Sequence, residues 1–218
     1  MRKKKVIGGM LAICLMAVMA GTGYQYMKSE KAKGIKVIGV LDGDTVTLEG
    51  KVRFRLRSID AAEADLCGGK EAKAELEKLL TNKRVRVEEE ILDNWGRPMG
   101  LLYAGDKLIN LEMIKSGWVK YHHDQTSVAE KLKEVGDKNK ADNKGLYGKC
   151  WQRENRQNQK CNIKGNIDPS NSRLKRFYVP GCVQYETTIV ELDRGEEWFC
   201  SENEAIKAGY VKSERCPP

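Results

Sequence analysis

Between Lys51 and Ile59 apolar and charged residues alternate, with Val52, Phe54 and Leu56 on one side and Arg53, Arg55 and Arg57 on the other. A period of two predicts a strand with one buried and one polar face. Ile35 to Leu41 and Asp44 to Leu48 are predicted as two earlier strands, separated by the Asp42-Gly43 turn signal. The period then lengthens. From Gly69 to Leu80, the positions of Ala72, Leu76, Leu79 and Leu80 predict an amphipathic helix. Val85 and Val87 mark a fourth strand and Met99 to Tyr103 a fifth, followed by predicted helices over Leu108 to Ser116 and Val128 to Ala141. The periodicity by itself gives an α+β fold.

The ends of the chain follow other rules. Four basic residues, Arg2 to Lys5, precede an apolar run from Val6 to Ala20. Residues 1–23 therefore read as an export segment, as either a cleaved signal peptide or an N-terminal membrane anchor, with a polar tether over 24–34. The basic flank belongs on the cytoplasmic side. The remainder is expected outside the cytoplasmic membrane: periplasmic, extracellular or anchored to its outer side. Residues 152–160 contain no apolar residue and read as a linker. It separates a unit at 35–151 from a small unit at 161–218.

Charge changes this picture little. The 39 Lys and Arg against 31 Asp and Glu give +8, which falls to +4 once Arg2, Lys3, Lys4 and Lys5 are set aside. The placement of the arginines is a better guide to an anionic partner than the total. Cysteine usage agrees with export. Cys14 lies in the apolar run, and an even set remains: Cys67, Cys150, Cys161, Cys182, Cys200 and Cys216. A bridge between Cys67 and Cys150 would tie the loop after Glu63 to the end of the first unit, although spacing does not settle the pairing. The last four cysteines allow two disulfides or one zinc site. The absence of a C-x2-C pair and the oxidising compartment favour disulfides.

The candidate chemistry is concentrated early. Asp42, Asp44, Asp60 and Glu63 surround a strand that carries Arg55, and Arg97 follows in Trp95-Gly96-Arg97. Carboxylates without a matching His or Cys set suit a hard cation such as Ca2+ or Mg2+. Guanidinium groups beside them suit phosphate oxygens. Together they point to a metal-dependent phosphodiesterase.

Six segments, taken in order, resemble the staphylococcal nuclease (thermonuclease) family. They are Asp42-Gly43-Asp44-Thr45, Arg55-Leu56, Ile59-Asp60-Ala61-Ala62-Glu63, Gly96-Arg97, Asn110-Leu111-Glu112-Met113-Ile114-Lys115-Ser116-Gly117 and Gly145-Leu146-Tyr147-Gly148. The resemblance implies a five-stranded OB-fold barrel with packed helices over residues 35–151. It implies a Ca2+-dependent endonuclease, with Mg2+ as the alternative ion, that cleaves DNA and RNA with low sequence specificity and leaves 3′-phosphate ends. Asp44, Asp60 and the Ala61 carbonyl would hold the metal, with Asp42 and Thr45 behind them. Arg55, Glu63 and Arg97 would be catalytic. His123 falls near the family's aromatic phosphate contact, and Lys120 and Tyr121 would line the same groove. Single strands are the favoured substrate where bases splay into a shallow groove. Ala62 departs from the family's proline and leaves the Glu63 loop less constrained. Residues 161–218 resemble the small "sunset" domain appended to exported nuclease-like proteins. The alternative is an envelope-tethered, non-catalytic module that binds nucleic acid or protein on the same barrel. The completeness of Asp44, Asp60, Glu63, Arg55 and Arg97 favours the enzyme.

Overall fold

The structure, a computed structural model, describes residues 34–217. The predicted export segment and most of the tether lie outside the described residues. β1 (Ile35–Val40), β2 (Thr45–Leu48) and β3 (Val52–Leu56) form an antiparallel meander. β5 (Arg84–Leu92) pairs with β1, and β6 (Pro98–Ala104) pairs with β5. β6 also runs parallel to β3, which closes the ring in the order β3-β2-β1-β5-β6. The five predicted strands thus form a closed barrel. Two shorter strands that the periodicity did not predict, β4 (Ile59–Ala61) and β8 (Val119–Tyr121), make a separate antiparallel pair. β7 (Lys107–Leu108) extends the edge at β6.

The helices cover the barrel. α1 (Gly69–Leu80) has the predicted bounds and buries Ala72, Leu76 and Leu80. α2 (Ile109–Ser116) and α3 (Ala129–Ala141) each start one residue later than predicted, and α4 (Leu146–Lys149) is a single turn. Their apolar faces meet Val46, Phe54, Leu56, Leu101 and Leu102 in one core. Removing such side chains from water contributes ~1.5–3 kcal/mol each.

The alternation of β3 ends sooner than its pattern predicts. Arg57 and Ser58 form a turn, and Ser58 takes a left-handed φ of 61°. Arg57 consequently does not share the exposed face of Arg53. It is 6% exposed, and it donates to the carbonyls of Glu89 and Gln125 at 2.9 Å each. Its guanidinium pins two loops.

The C-terminal region contains a four-stranded sheet in the order β13-β10-β11-β14. Its strands are β10 (Ile163–Ile167), β11 (Lys175–Tyr178), β13 (Trp198–Phe199) and β14 (Val211–Lys212), with α5 (Glu202–Lys207) packed alongside. Its apolar core is small: Ile163, Phe177, Phe199, Ala205 and Tyr210. Cys161–Cys200 and Cys182–Cys216 are disulfides, so the zinc alternative for these four residues falls away. Cys67 is bridged to Cys150. β9 (Trp151–Gln152) pairs with β12 (Val190–Glu191), so Gln152, within the predicted linker, is strand. A 3-10 turn over Leu192–Arg194 follows β12, and Leu192 packs against the cluster of Leu146, Tyr147 and Cys150. Among the described residues no helix is long and apolar enough to cross a membrane.

Candidate active site

The turn into β2 is shaped by a close approach. A Cβ on Gly43 would collide with the Cβ atoms of Ala72 in α1 and Ala61 in β4. Only glycine lets the turn lie this deep, and the next residue, Asp44, is 2% exposed. Asp42 fixes the turn by accepting a hydrogen bond from the Asp44 amide at 3.0 Å. Asp44 Oδ1 accepts from Thr45 Oγ1 at 2.8 Å and from Arg55 Nη1 at 2.6 Å, while its Oδ2 accepts from the Ala61 amide at 2.9 Å. Cross-strand register explains Arg55, which lies opposite Thr45 in the β2–β3 ladder. Its second terminal nitrogen reaches Asp60 Oδ1 at 2.7 Å. One guanidinium therefore spans an inner and an outer carboxylate. Burial pushes the Asp44 carboxyl up to about 6, against the opposing pull of Arg55 and the hydrogen bond from Ala61.

A buried carboxylate destabilised by desolvation gains from added positive charge. The donors at this point are all oxygen: the carboxylates of Asp44 and Asp60 and the backbone of Ala61, brought together by the bond from the Ala61 amide to Asp44. They fit a hard divalent cation that completes its shell with water or phosphate oxygens. Among the described residues no group of three or more His, Cys, Asp or Glu side chains converges, so a transition-metal cage has no counterpart here.

Glu63 follows β4 on an exposed loop, and among the described residues its carboxylate makes no hydrogen bond or ion pair. The loop is nonetheless fixed. Its carbonyl accepts from the Leu66 amide at 2.9 Å, and Gly69 at the start of α1 presses so close that a Cβ there would overlap the same carbonyl oxygen. Arg97 is held differently. Its Nε donates to Asp93 Oδ2 at 2.7 Å, its amide donates to Asp93 Oδ1 at 2.8 Å, and its guanidinium lies 5.1 Å from the centre of the Trp95 ring. Desolvation raises Asp93, but the hydrogen bonds from Arg97 and Trp95 outweigh it and hold the carboxyl below its ordinary value. Arg97 makes no contact with Asp44 or Asp60. It lies two residues before Met99, which pairs with Arg55 across β3 and β6. The sequence reading missed Asp93. Its signal was the turn-type run Asp93-Asn94-Trp95-Gly96.

The remaining expected residues are divided. Tyr121 packs against Gly136 of α3, and its hydroxyl lies 3.3 Å from His123 Nδ1. Lys120 stands opposite Asp60 in the β4–β8 ladder, but its ammonium donates to Asp193 Oδ2 at 2.7 Å. This corrects the groove role expected of Lys120: a carboxylate from the C-terminal region occupies its charge. Asp193 carried no local signal, since it lies 73 residues away in sequence.

A model of the family described as staphylococcal nuclease homologue matches residues 53–149. An uncharacterized endonuclease of Haemophilus influenzae is 31% identical over 140 residues, covering 60% of this chain and 79% of that protein. The micrococcal nuclease of Shigella flexneri is 36% identical over 72 residues, 32% of this chain and 41% of the relative. The thermonuclease of Staphylococcus intermedius is 28% identical over 135 residues, 52% of this chain and 79% of the relative. With the closed barrel and the clustered Asp44, Arg55 and Asp60, these likenesses establish that the chain belongs to the staphylococcal nuclease homologue family of nuclease-class hydrolases.

Proposed function

We propose that this chain is an exported, Ca2+-dependent endonuclease that hydrolyses phosphodiester bonds of DNA and RNA with low sequence specificity, single strands favoured. The observation that carries this reading is Arg55 bridging Asp44 and Asp60, which joins acceptors for a cation to a donor for phosphate. Asp44, Asp60 and the Ala61 carbonyl would hold the ion, with Asp42 and Thr45 fixing the first of them. Mg2+ is the alternative ion. Bound there, Ca2+ supplies positive charge to a phosphoryl oxygen and lowers the pKa of water.

The protein's own groups account for the rest. Arg55 and Arg97 donate to the non-bridging oxygens as negative charge grows on them, and the planar fork suits two oxygens at once. Glu63, exposed and free of partners among the described residues, orients the attacking water and accepts its proton. Cleavage of the bond from phosphorus to the 5′ oxygen then leaves a 3′-phosphate end. Recognition through phosphates carries little sequence information. His123, joined to Tyr121, is a polar contact for the strand. Export is supported by three disulfides, which persist in oxidising compartments. Any membrane contact is through the N-terminal segment.

The test is digestion of single-stranded DNA and of RNA by protein from an exporting host, with Ca2+, Mg2+ or EDTA. Cleavage with Ca2+, arrest by EDTA and 3′-phosphate ends are expected. Full activity in EDTA would remove the cation from the reading. Binding without cleavage under every condition would replace the enzyme with the non-catalytic module.

A further inference from the structure

A second basic cavity, of about 540 Å3, lies where the C-terminal region meets α3 and α4. Its size falls within the ~300–1,000 Å3 range of small-ligand sites. Lys140 of α3 and Tyr147 of α4 form one wall, and Trp151, Arg153 and Arg156 form another. Glu154 is the one carboxylate among the lining residues. It shares no residue with the cluster at Asp44.

The donors here are under-used. Among the described residues, neither Lys140, Arg153 nor Arg156 has an ion-pair partner. Arg153 and Arg156 each spend one terminal nitrogen on a backbone carbonyl, that of Glu186 at 3.3 Å and that of Gly148 at 3.0 Å. A guanidinium has five donors, so most of them remain free. The Lys140 ammonium lies 5.0 Å from the centre of the Trp151 ring, and Tyr147 meets the same ring edge-on at 4.8 Å. The Trp151 indole nitrogen is buried without a hydrogen-bond partner, an arrangement that is costly unless a ligand or water accepts from it. Three cations, an aromatic surface and an unmet N–H donor in one concavity fit a phosphodiester group with its attached base, as in grooves that track single strands.

We infer that this cavity is a second nucleic-acid subsite, which grips a phosphate of the single strand outside the cleavage centre. It rests on the reading of the chain as a nuclease. It also gives the C-terminal region a role, since β9 and the segment after it complete a site that the barrel's helices only begin.

The test separates gripping from cutting. Binding of a labelled oligothymidylate is measured by fluorescence anisotropy in EDTA, across a salt series. Hydrolysis of a thymidine dinucleotide and of long single-stranded DNA is measured with Ca2+. Lys140→Gln alters an exposed side chain and is expected to weaken oligonucleotide binding several-fold. The triple variant Lys140→Gln, Arg153→Gln, Arg156→Gln should lower the slope of log K against log salt by about 2, at about 0.7 for each lost phosphate contact on a single strand. KM for long DNA should rise while dinucleotide hydrolysis stays unchanged. Lys207→Gln on α5, which removes the same charge elsewhere, should do neither. Unchanged anisotropy and salt slope in the triple variant would overturn the subsite, as would an equal loss in Lys207→Gln. A wild-type protein that binds the oligonucleotide through these residues but cuts nothing would overturn the nuclease reading and leave the subsite standing.

Discussion

Lys120 faces Asp60 across the β4–β8 ladder, yet its ammonium is bound to Asp193, 2.7 Å away in the C-terminal region. The Asp193 side chain is 1% exposed, and Glu191 adds a second carboxylate at 3.9 Å from the same nitrogen. Side chains directly opposite in an antiparallel ladder are close neighbours. The C-terminal region therefore draws a cation away from one of the carboxylates expected to hold the metal. Gly195 reaches the same neighbourhood, where an added Cβ would meet Leu66, three residues beyond Glu63.

Asp193→Asn should consequently weaken Ca2+ binding. A released Lys120 ammonium can turn toward Asp60 and oppose a divalent ion there, and a unit charge at such a distance is enough for roughly a tenfold loss. Adding Lys120→Gln to that variant should restore the affinity, because the competing cation is gone. Calorimetric titration with Ca2+ reads both effects. Unchanged affinity in Asp193→Asn would show that Lys120 does not reach Asp60.

Turnover should fall by about 10²-fold or more in Arg55→Ala, Glu63→Ala and Arg97→Ala, the scale of losing one preorganised group at the transition state. Arg53→Ala, on an exposed position of β3, should alter turnover only slightly. Asp93→Ala should mimic a weaker form of the Arg97 loss, because Asp93 holds that guanidinium. Initial rates on single-stranded DNA with saturating Ca2+ decide the matter. Equal losses at Arg53 and Arg55 would reassign the catalytic face.

The barrel was legible because its signal is local. Alternation in β3 and helical spacing in α1 depend on near neighbours, and both elements formed where predicted. The reading failed where distant chain segments decide. Arg57 continues the alternating pattern, but the left-handed turn at Ser58 redirects it onto Glu89 and Gln125. The burial of Asp44 depends on α1 pressing against Gly43, which no window around the aspartate reveals. Lys120 resembled a groove residue until Asp193 was placed beside it. Cysteine spacing fits many pairings, and only the fold selects Cys161 with Cys200 and Cys182 with Cys216.

Reduction should unfold the C-terminal region before the barrel. Its core has five buried apolar residues, whereas the barrel core extends from Val37 to Leu132. Losing each small-domain disulfide costs ~2–5 kcal/mol. Limited proteolysis in dithiothreitol should leave a resistant fragment ending near Gln152, and hydrogen exchange should rise first in β10 and β11. Simultaneous loss of both regions would mean that the barrel depends on its neighbour. Replacing Cys67 and Cys150 with serine tests a different point. That bridge ties the segment after Glu63 to the end of the barrel, so kcat should drop more than substrate binding.

Stability should depend on pH through Glu191 and Glu196. Burial raises both carboxyls above their ordinary value, and in Glu196 it outweighs hydrogen bonds from the amides of Glu191 and Ile167. The folded state then binds more protons than the unfolded chain above the unfolded value of 4.5. Their contribution is fully present below that value and is lost as pH rises through the raised folded ones. Glu71, lowered chiefly by the Lys149 hydrogen bond, and Asp168, lowered chiefly by Ser170, have the opposite sign. Their contribution is present above their unfolded values and is lost as pH falls through the depressed folded ones. The thermal midpoint in EDTA should therefore increase as pH is lowered from about 7 to about 5, then decline below about 4. Scanning calorimetry across that range measures it. A midpoint that falls steadily from neutral pH downward would mean that the two buried glutamates do not govern stability in that window.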